Sequence, residues 1–387
     1  MKQILLAALM LCSWVDLLAQ SDENTYHWVS HLHGRGQETG YEMLPQSNGA
    51  LLVLGTFSDS IIFFPDTVVV PQDPSAEPQD RSVGYFLAKY DSCGSLLWHR
   101  IWRATTYLHE IIGMEQDQQG RIYVAINDLD SLIIEGQQLT TNSGNAVIQL
   151  DSTGNFLSYF DPIGQVQGSA KPYLLDLAVS TNGEIALTGF IAVNPSSGVE
   201  PGYVEIGQER LEIAFDSVKG YYQSQAWLGV YTSEGQASWV RMTYAPSGAE
   251  SRTVAFDPQG RVYWAGNFQA AAPQYQADIY VGSGNDSLSV DVGPSGFLMA
   301  YDPQGGTRWL QAFEVSPIPP DSLGEIRLWE LEISPSGAIY LVGRLSDRVW
   351  VDSMQIPQAG VPFPPQGPIW TSIIKLSPAG EALWSRE

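Results

Sequence analysis

A strand–turn–strand pattern that occurs five times constrains the fold of this chain more than any other feature. In its fullest form, FLAKYDSCGSLLWHR (86 to 100), alternating apolar residues lead into an Asp-Ser-Cys-Gly turn, and a second apolar run follows. Aspartate at the first and glycine at the fourth position are typical of a type I turn. The pattern returns at residues 146–160, 228–242, 297–311 and 372–386, and Trp98, Trp239, Trp309 and Trp384 each stand four residues after the turn glycine.

A second strand–turn–strand element alternates with the first, at residues 43–55, 114–126, 177–189, 254–266 and 331–343. Two hairpins per unit make four strands, and short four-stranded sheets repeated around an axis bury both faces without helices. No sustained helical period competes with this interpretation. The sequence therefore predicts an all-β fold, a β-propeller of four-stranded blades with five repeat units visible. The predicted units are roughly 36–102, 103–160, 170–242, 250–311 and 326–387.

The first 20 residues have the pattern of a secretory signal peptide, with one lysine, an apolar core and a small residue at Ala19. The apolar run is too short for a membrane span and is interrupted by Asp16. We expect residues 1–20 to be a signal peptide, residues 21–387 to be the propeller, and the protein to be secreted or held at the cell surface. The mature chain then has one cysteine, Cys93, no internal disulfide and no transmembrane segment.

The net charge of −23 and the pI near 4.4 argue against nucleic acid and anionic membranes as partners, because phosphate binding requires concentrated Lys and Arg. An extracellular protein or a glycan is the expected partner. We expect a monomer.

The repeats resemble a known family, the seven-bladed-propeller-type (SBBP) bacterial repeat. The similarity rests on DPQGRVYWAG (257 to 266) and FLAKYDSCGSLLW (86 to 98), and it covers about residues 26 to 387. This resemblance implies a propeller in a secreted or surface-bound protein and implies no catalytic residue.

The family often continues into more repeats, whereas this chain stops at Glu387. Either five blades close the ring or the chain is a fragment. In the same way, Trp28 belongs either to a strand at the seam between the first and last blades or to a preceding blade.

Long links between the two hairpins of a unit, such as 65–84 and 191–226, predict variable loops at one end of the propeller. Two functions remain open. The first is a secreted or cell-surface, non-enzymatic binding or scaffold module for a protein or glycan. The alternative is an extracellular carbohydrate-active enzyme, a glycosidase or lyase, with its site at the central mouth. Fold alone does not decide between them, because propellers support both kinds of function.

No catalytic residue and no cofactor is identified from the sequence. His27, His31 and His33 stand at strand spacing and could ligate a transition metal, but polar residues on a solvent-facing edge strand give the same pattern. An aspartate-rich chain can also bind calcium in loops, for which GSGNDSLSVD (282 to 291) is a weak indication.

Basic and aromatic residues in the links between units are candidate ligand-binding residues. The basic ones could form a cationic spot for a carboxylate or sulfate, or could be paired with neighbouring acids. The aromatic ones could stack on sugar rings, or could pack between blades. These candidates are Arg35, Arg103, Tyr107, Lys171, Tyr173, Arg252, Arg327 and Trp329.

Overall fold

The computed structural model describes the repeats and leaves out the N-terminal segment and parts of the links. The described residues are 33–34, 36–63, 66–70, 83–104, 110–129, 132–168, 170–193, 202–212, 215–216, 221–222, 224–245, 248–268, 277–281, 286–290, 295–315, 326–345, 349–351, 354–356 and 370–386. Their regular structure consists of β-strands, which confirms the all-β prediction. In this part of the chain no helix has the length and apolar character needed to cross a bilayer.

The strands follow one another in five consecutive groups, here called units 1 to 5. Unit 1 contains β1 (His33–Gly34), β2 (Glu38–Pro45), β3 (Leu51–Phe57), β4 (Ser60–Phe63), β5 (Asp66–Val69), β6 (Val83–Tyr90) and β7 (Leu96–Ala104). Unit 2 contains β8 (Glu110–Gln116), β9 (Ile122–Asn127), β10 (Leu132–Ile134), β11 (Gln137–Leu139), β12 (Ala146–Leu150) and β13 (Phe156–Phe160). Unit 3 contains β14 (Gln165–Val166), β15 (Ala170–Val179), β16 (Ile185–Val193), β17 (Tyr203–Ile206), β18 (Glu209–Glu212), β19 (Phe215–Asp216), β20 (Tyr221–Tyr222), β21 (Gln225–Tyr231) and β22 (Ala237–Tyr244). Unit 4 contains β23 (Ala249–Phe256), β24 (Val262–Phe268), β25 (Ala277–Val281), β26 (Asp286–Val290), β27 (Ser295–Tyr301) and β28 (Thr307–Val315). Unit 5 contains β29 (Ile326–Ile333), β30 (Ile339–Leu345), β31 (Val349–Val351), β32 (Met354–Ile356), β33 (Trp370–Leu376) and β34 (Ala382–Arg386).

Every unit has the same topology. Four long strands form an antiparallel meander in chain order, and between the second and the third lies one short hairpin, or two in unit 3. The first strand of each meander, here called the inner strand, is β2, β8, β15, β23 or β29; the last, here called the outer strand, is β7, β13, β22, β28 or β34. The links that the sequence predicts as variable loops therefore contain strands of their own.

The inserted hairpins connect neighbouring units. Hairpin strand β10 pairs with outer strand β7 of the preceding unit, β25 pairs with β22, and β31 pairs with β28. In unit 3, β17 pairs with β14, which follows outer strand β13 in the chain. In unit 1, β4 pairs with β1. The hairpins of units 2, 4 and 5 thus contribute backbone hydrogen bonds across a boundary between units, in addition to side-chain packing.

The ten predicted turns form as expected, and their glycines have a clear physical role. Each glycine N–H donates to the carbonyl three residues earlier, as Gly94 does to Asp91 at 3.0 Å and Gly260 to Asp257 at 2.9 Å. All ten glycines have φ between 76° and 89°. In this left-handed region a side chain is strained, so glycine is the favoured residue.

Four of the five hydrophobic clusters lie between successive units. Leu87 of unit 1 packs with Val124 of unit 2 in one such cluster, and Leu298 of unit 4 packs with Leu341 of unit 5 in another. The fifth cluster covers the opposite face of unit 1 and, among the described residues, is built from unit 1 alone, with Phe86 packed on Phe63 of its own hairpin. Core packing therefore joins the units in series from 1 to 5.

The side of unit 1 that faces away from unit 2, here called the seam, is more open than the boundaries between successive units. Met43 on the inner strand of unit 1 is 38% exposed, whereas its equivalents in units 2 to 5 are 3–4% exposed. Those equivalents are Met114, Leu177, Val254 and Leu331. No sheet in the described residues closes on itself.

Candidate functional site

A β-bulge interrupts the inner strand of every unit at the same position. The strand register shifts between Gly40 and Glu42, and likewise between Leu174 and Asp176. The other three bulges lie between Ile111 and Gly113, Ser251 and Thr253, and Leu328 and Glu330. A bulge re-aims the side chains next to it and is common beside functional sites.

Acidic residues follow these bulges. The first residue after the bulge is Glu42 in unit 1, Asp176 in unit 3 and Glu330 in unit 5. Two residues further along their strands lie Glu115 in unit 2 and Glu332 in unit 5. These five carboxyl groups influence one another electrostatically across four different units. We call them the acid cluster.

The electrostatics of the acid cluster are unusual for a protein surface. Loss of water, followed by the nearby charges of Glu332, Asp176 and Glu42, raises the pKa of Glu115 from 4.5 to about 8. Loss of water is also the main reason that the pKa of Glu330 lies well above its usual range and that the pKa of Glu332 is raised. Four of the five carboxyl groups are half-buried and Glu332 is exposed. Like charges that converge in this way disfavour full ionisation. The raised pKa favours the protonated form of Glu115 at neutral pH.

Asp176 differs from the other members because backbone donors hold it. The N–H of Leu177 donates to Oδ1 at 2.9 Å, and the N–H of Val254 in unit 4 donates to Oδ2 at 2.8 Å. Hydrogen bonds of this kind are strong when the carboxylate is ionised. The acid cluster thus contains a carboxyl group with a raised pKa, that of Glu115, and a carboxyl group anchored across two units, that of Asp176.

Unit 4 contributes no acid to the cluster. Its residue after the bulge is Thr253, which is 1% exposed and whose Oγ1 has no hydrogen-bond partner in the structure. The bulged residue before it, Arg252, donates to Glu250 at 2.6 Å, while its Nε is buried without a partner. Buried polar atoms of this kind are rare and are often found at functional sites.

The acid cluster does not form a chelating set. Among the residues that the structure describes, no group of three or more His, Cys, Asp or Glu side chains is arranged to hold a metal ion. The calcium site expected from the sequence stays a prediction, and residues 282–285 of that segment lie outside the described residues.

The candidate residues predicted from the sequence lie in different parts of the chain, and some lie outside the described residues. His27, His31, Arg35 and Tyr107 lie outside the described residues, as does the side chain of His33 in β1. Arg103 is exposed on outer strand β7, away from the inner strands.

Five candidates lie on three inner strands. Lys171 of β15 pairs with Asp128 at 2.8 Å and lies 4.8 Å from the ring centre of Tyr173, which stacks on Phe190 at 4.9 Å. Arg252 is on β23, and Arg327 and Trp329 are on β29, where Trp329 is the bulged residue. The structure therefore brings these residues to the inner strands in three units.

Sequence reasoning missed the acid cluster itself. A signal was present, since Glu42, Asp176 and Glu330 each stand seven residues before the first turn glycine of their unit. Glu115 and Glu332 stand five residues before it. The signal is weak because no single unit except unit 5 carries an acid at both positions.

Comparison with known proteins does not identify a family or an activity for this chain. No family model matches the chain, and no curated protein matches it. The solved structures that are similar in part include the Glu150Gln mutant of Synechocystis apocarotenoid oxygenase (9% identity, 85% of this chain, 55% of that chain, TM-score 0.35), the cobalt-substituted Synechocystis enzyme (10%, 85%, 55%, 0.34), and the D477G chimera of this oxygenase with RPE65 (10%, 80%, 57%, 0.34). The chain spans little more than half the length of these proteins.

One sequence-based prediction is corrected here. All three similar structures are of oxygenases or an oxygenase chimera, which contradicts the expected non-enzymatic binding or scaffold module, and that prediction is not retained. The similarity is too low to transfer an activity or a substrate to this chain. Membership of the SBBP repeat family stays a prediction.

Proposed function

We propose that the protein is an exported β-propeller enzyme that performs general acid–base chemistry in a channel lined by the acid cluster. Each four-stranded meander is one blade, and this chain supplies five. Two observations support the blade arrangement: the inner strands contact one another in chain order, and carboxyl groups from units 1, 2, 3 and 5 lie within electrostatic reach of one another. A single central axis accounts for both.

The observation that carries the function is the convergence of a protonated and an anchored carboxyl group. The pKa of Glu115, raised to about 8, makes it a proton donor at neutral pH. Asp176, held by two backbone N–H groups, serves as the proton acceptor. A carboxyl group with a raised pKa and a second carboxyl group in one site form the acid–base arrangement used by many hydrolases.

The proposed reaction is hydrolysis. Asp176 takes a proton from a water molecule as the water oxygen bonds to the electrophilic centre of the substrate. Glu115 gives its proton to the leaving group as the scissile bond breaks. Return of the proton from Asp176 to Glu115 through solvent restores the site, so no oxidant, reductant or other co-reactant is consumed.

The surroundings select the charge of the substrate. Five carboxyl groups repel an anion, so a neutral or cationic substrate fits this channel. Tyr41, the bulged residue of unit 1, is 43% exposed beside Glu42 and offers an aromatic face.

Export is part of the same proposal. Residues 1–20 carry the protein across the membrane and are removed. The mature protein recovered outside the producing cell should then begin at or near Ser21, as N-terminal sequencing would establish.

The catalytic test uses charge-neutral, equal-sized substitutions. We expect Glu115→Gln to lower kcat about 10²–10⁴-fold, because it removes the donated proton and keeps the shape. Activity should be sought on a panel of neutral and cationic chromogenic substrates, and the basic limb of the wild-type pH profile should disappear in the variant. Infrared spectroscopy at pH 7 should show a protonated carboxyl band that Glu115→Gln loses.

Glu212→Gln on the peripheral hairpin strand β18 is the matched control, since it removes one carboxylate and leaves the channel intact. It should retain full activity and the infrared band. Full activity in both Glu115→Gln and Asp176→Asn would exclude the channel as the site.

A further inference from the structure

The second turn of a unit, which joins its third and fourth long strands, lies against the outer strand of the preceding unit. In unit 1 this outer strand carries Arg100, six residues after the turn glycine of its own unit. The Arg100 guanidinium lies 5.4 Å from the ring centre of Trp98. It donates to the carbonyl of His99 and to Oδ1 of Asn155, which follows the turn glycine of unit 2, at 2.9 Å each. An arginine therefore fills the groove between units 1 and 2.

The boundary between units 3 and 4 has the same arrangement. Arg241 again stands six residues after the turn glycine of its unit, and its guanidinium lies 5.6 Å from the ring centre of Trp239. It donates to the carbonyl of Val240 at 2.7 Å and to the carbonyl of Gly305, the turn glycine of unit 4. Between units 2 and 3 the corresponding residue is Phe160, whose ring lies on the turn glycine of unit 3. A large side chain from this position thus fills three successive boundaries.

The boundary between units 4 and 5 differs, because the corresponding residue is Gln311. Glutamine is shorter than arginine and carries no charge. A cavity of about 420 Å³ lies at this boundary, and small-molecule sites usually measure roughly 300–1,000 Å³. Its lining among the described residues includes Trp309, Leu310, Gln311, Glu314, Gly380 and Glu381.

The cavity has a counterpart for each group that holds the two arginines. At the position of Asn155, which accepts from Arg100, stands Glu381, and a carboxylate binds a guanidinium more strongly than an amide oxygen does. The net charge of −23 also attracts a cation. The remaining counterparts are the ring of Trp309 for those of Trp98 and Trp239, the carbonyl of Leu310 for those of His99 and Val240, and the carbonyl of Gly380 for that of Gly305.

We propose that the cavity between units 4 and 5 binds the guanidinium group of a ligand. This group lies beside the Trp309 ring and donates to the Glu381 carboxylate and the Gly380 carbonyl. A guanidinium is favoured over an ammonium because its rigid fork of donors matches these acceptors and its flat face stacks on an indole. The ligand is either a free guanidino compound or the arginine side chain of a peptide. The cavity lies on outer strand β28, whereas the acid cluster lies on the inner strands, so this site does not depend on the proposed reaction.

Isothermal titration calorimetry on the full chain tests the proposal with three blocked amino acids. Nα-acetylarginine methylamide should bind, whereas the citrulline derivative, which has nearly the same shape without the charge, should not. The lysine derivative keeps the charge and lacks the fork, so it should bind more weakly than the arginine derivative. Peptides with one arginine distinguish the two sources: higher affinity for a peptide identifies a peptide ligand, and equal affinity identifies a free guanidino compound.

Two substitutions test whether the ligand occupies this cavity. Gln311→Arg should abolish binding and keep Tm at or above that of the wild type, because the introduced side chain fills the groove as Arg100 and Arg241 do. Glu381→Gln should weaken binding about 10–100-fold, since the charged acceptor is lost. Glu212→Gln on the peripheral hairpin strand β18 is the matched control and should leave the affinity unchanged.

Three results would overturn the proposal. The first is no binding of the arginine derivative to the wild type at millimolar concentration, and the second is equal affinity for the arginine and citrulline derivatives. The third is an affinity that neither Gln311→Arg nor Glu381→Gln changes. If Gln311→Arg lowers Tm strongly, the affinity of Glu381→Gln decides alone.

Discussion

At the scale of single residues, the acid cluster works against the stability of the fold as the pH rises. Glu115 holds its proton in the folded chain up to about pH 8, whereas the same side chain ionises near pH 4.5 when it is exposed to water. Between these values the folded chain binds more protons than the unfolded chain. Raising the pH through this window therefore favours unfolding.

We predict that the free energy of unfolding falls by about 2–4 kcal/mol between pH 5 and pH 8, because each unit of raised pKa corresponds to about 1.4 kcal/mol. Glu330 and Glu332 act in the same direction. Urea unfolding at several pH values measures the slope. Glu115→Gln should flatten it, and Glu212→Gln should leave it unchanged; equal slopes in wild type and Glu115→Gln would contradict the raised pKa.

At the scale of strands, the bulge of the inner strand usually lies opposite a glycine on the neighbouring strand. Four of the five units have a glycine six residues after the first turn glycine, directly opposite the bulge. A Cβ atom on Gly189 would overlap the carbonyl of Tyr173, and one on Gly343 would lie 2.9 Å from the carbonyl of Arg327. In these four units the bulged backbone lies close to the neighbouring strand, and the glycine leaves room for it, whereas unit 2 has Ile126 at this position.

Substitution at these glycines tests this coupling. Gly189→Ala should destabilise the protein by about 1–3 kcal/mol, since the backbone of β15 must move to admit the methyl group. Because the bulge sets the direction of Asp176, the variant should also lose activity. Gly40→Ala is the control, because a Cβ there meets nothing within 4 Å. Denaturant unfolding that gives the two variants the same stability would exclude the steric role of Gly189.

At the scale of the whole molecule, the sequence was sufficient to predict the repeated turns. It was not sufficient to predict the inserted hairpins or the acid cluster. Asp91 and Gly94 have local backbone requirements, which a sequence displays directly. The inserted hairpins were missed because strands such as β10 and β11 have three residues each and are stabilised by pairing with another unit. The acid cluster was missed because its members converge from four units far apart in the chain, a consequence of tertiary structure that no single repeat shows.

Because the units pack in series, equivalent core substitutions should lower the free energy of unfolding by unequal amounts. Met114 of unit 2 is 3% exposed because it packs between inner strands, whereas the equivalent Met43 at the seam is 38% exposed. Met114→Ala should cost about 2–5 kcal/mol through lost burial and a residual cavity. Met43→Ala should cost less than about 1 kcal/mol, since water already reaches that side chain.

Equilibrium unfolding in urea measures both variants, and the residue type is the same in each, so the difference reports the environment alone. Similar large losses would mean that unit 5 packs on unit 1 in solution and that the seam is closed. A small loss for Met43→Ala would instead make unit 1 the terminal unit of a linear series, whose stability is a sum of units and of contacts between neighbours. Hydrogen exchange should then be faster at β2 than at β8, because the inner strand of a terminal unit has a neighbour on one side only.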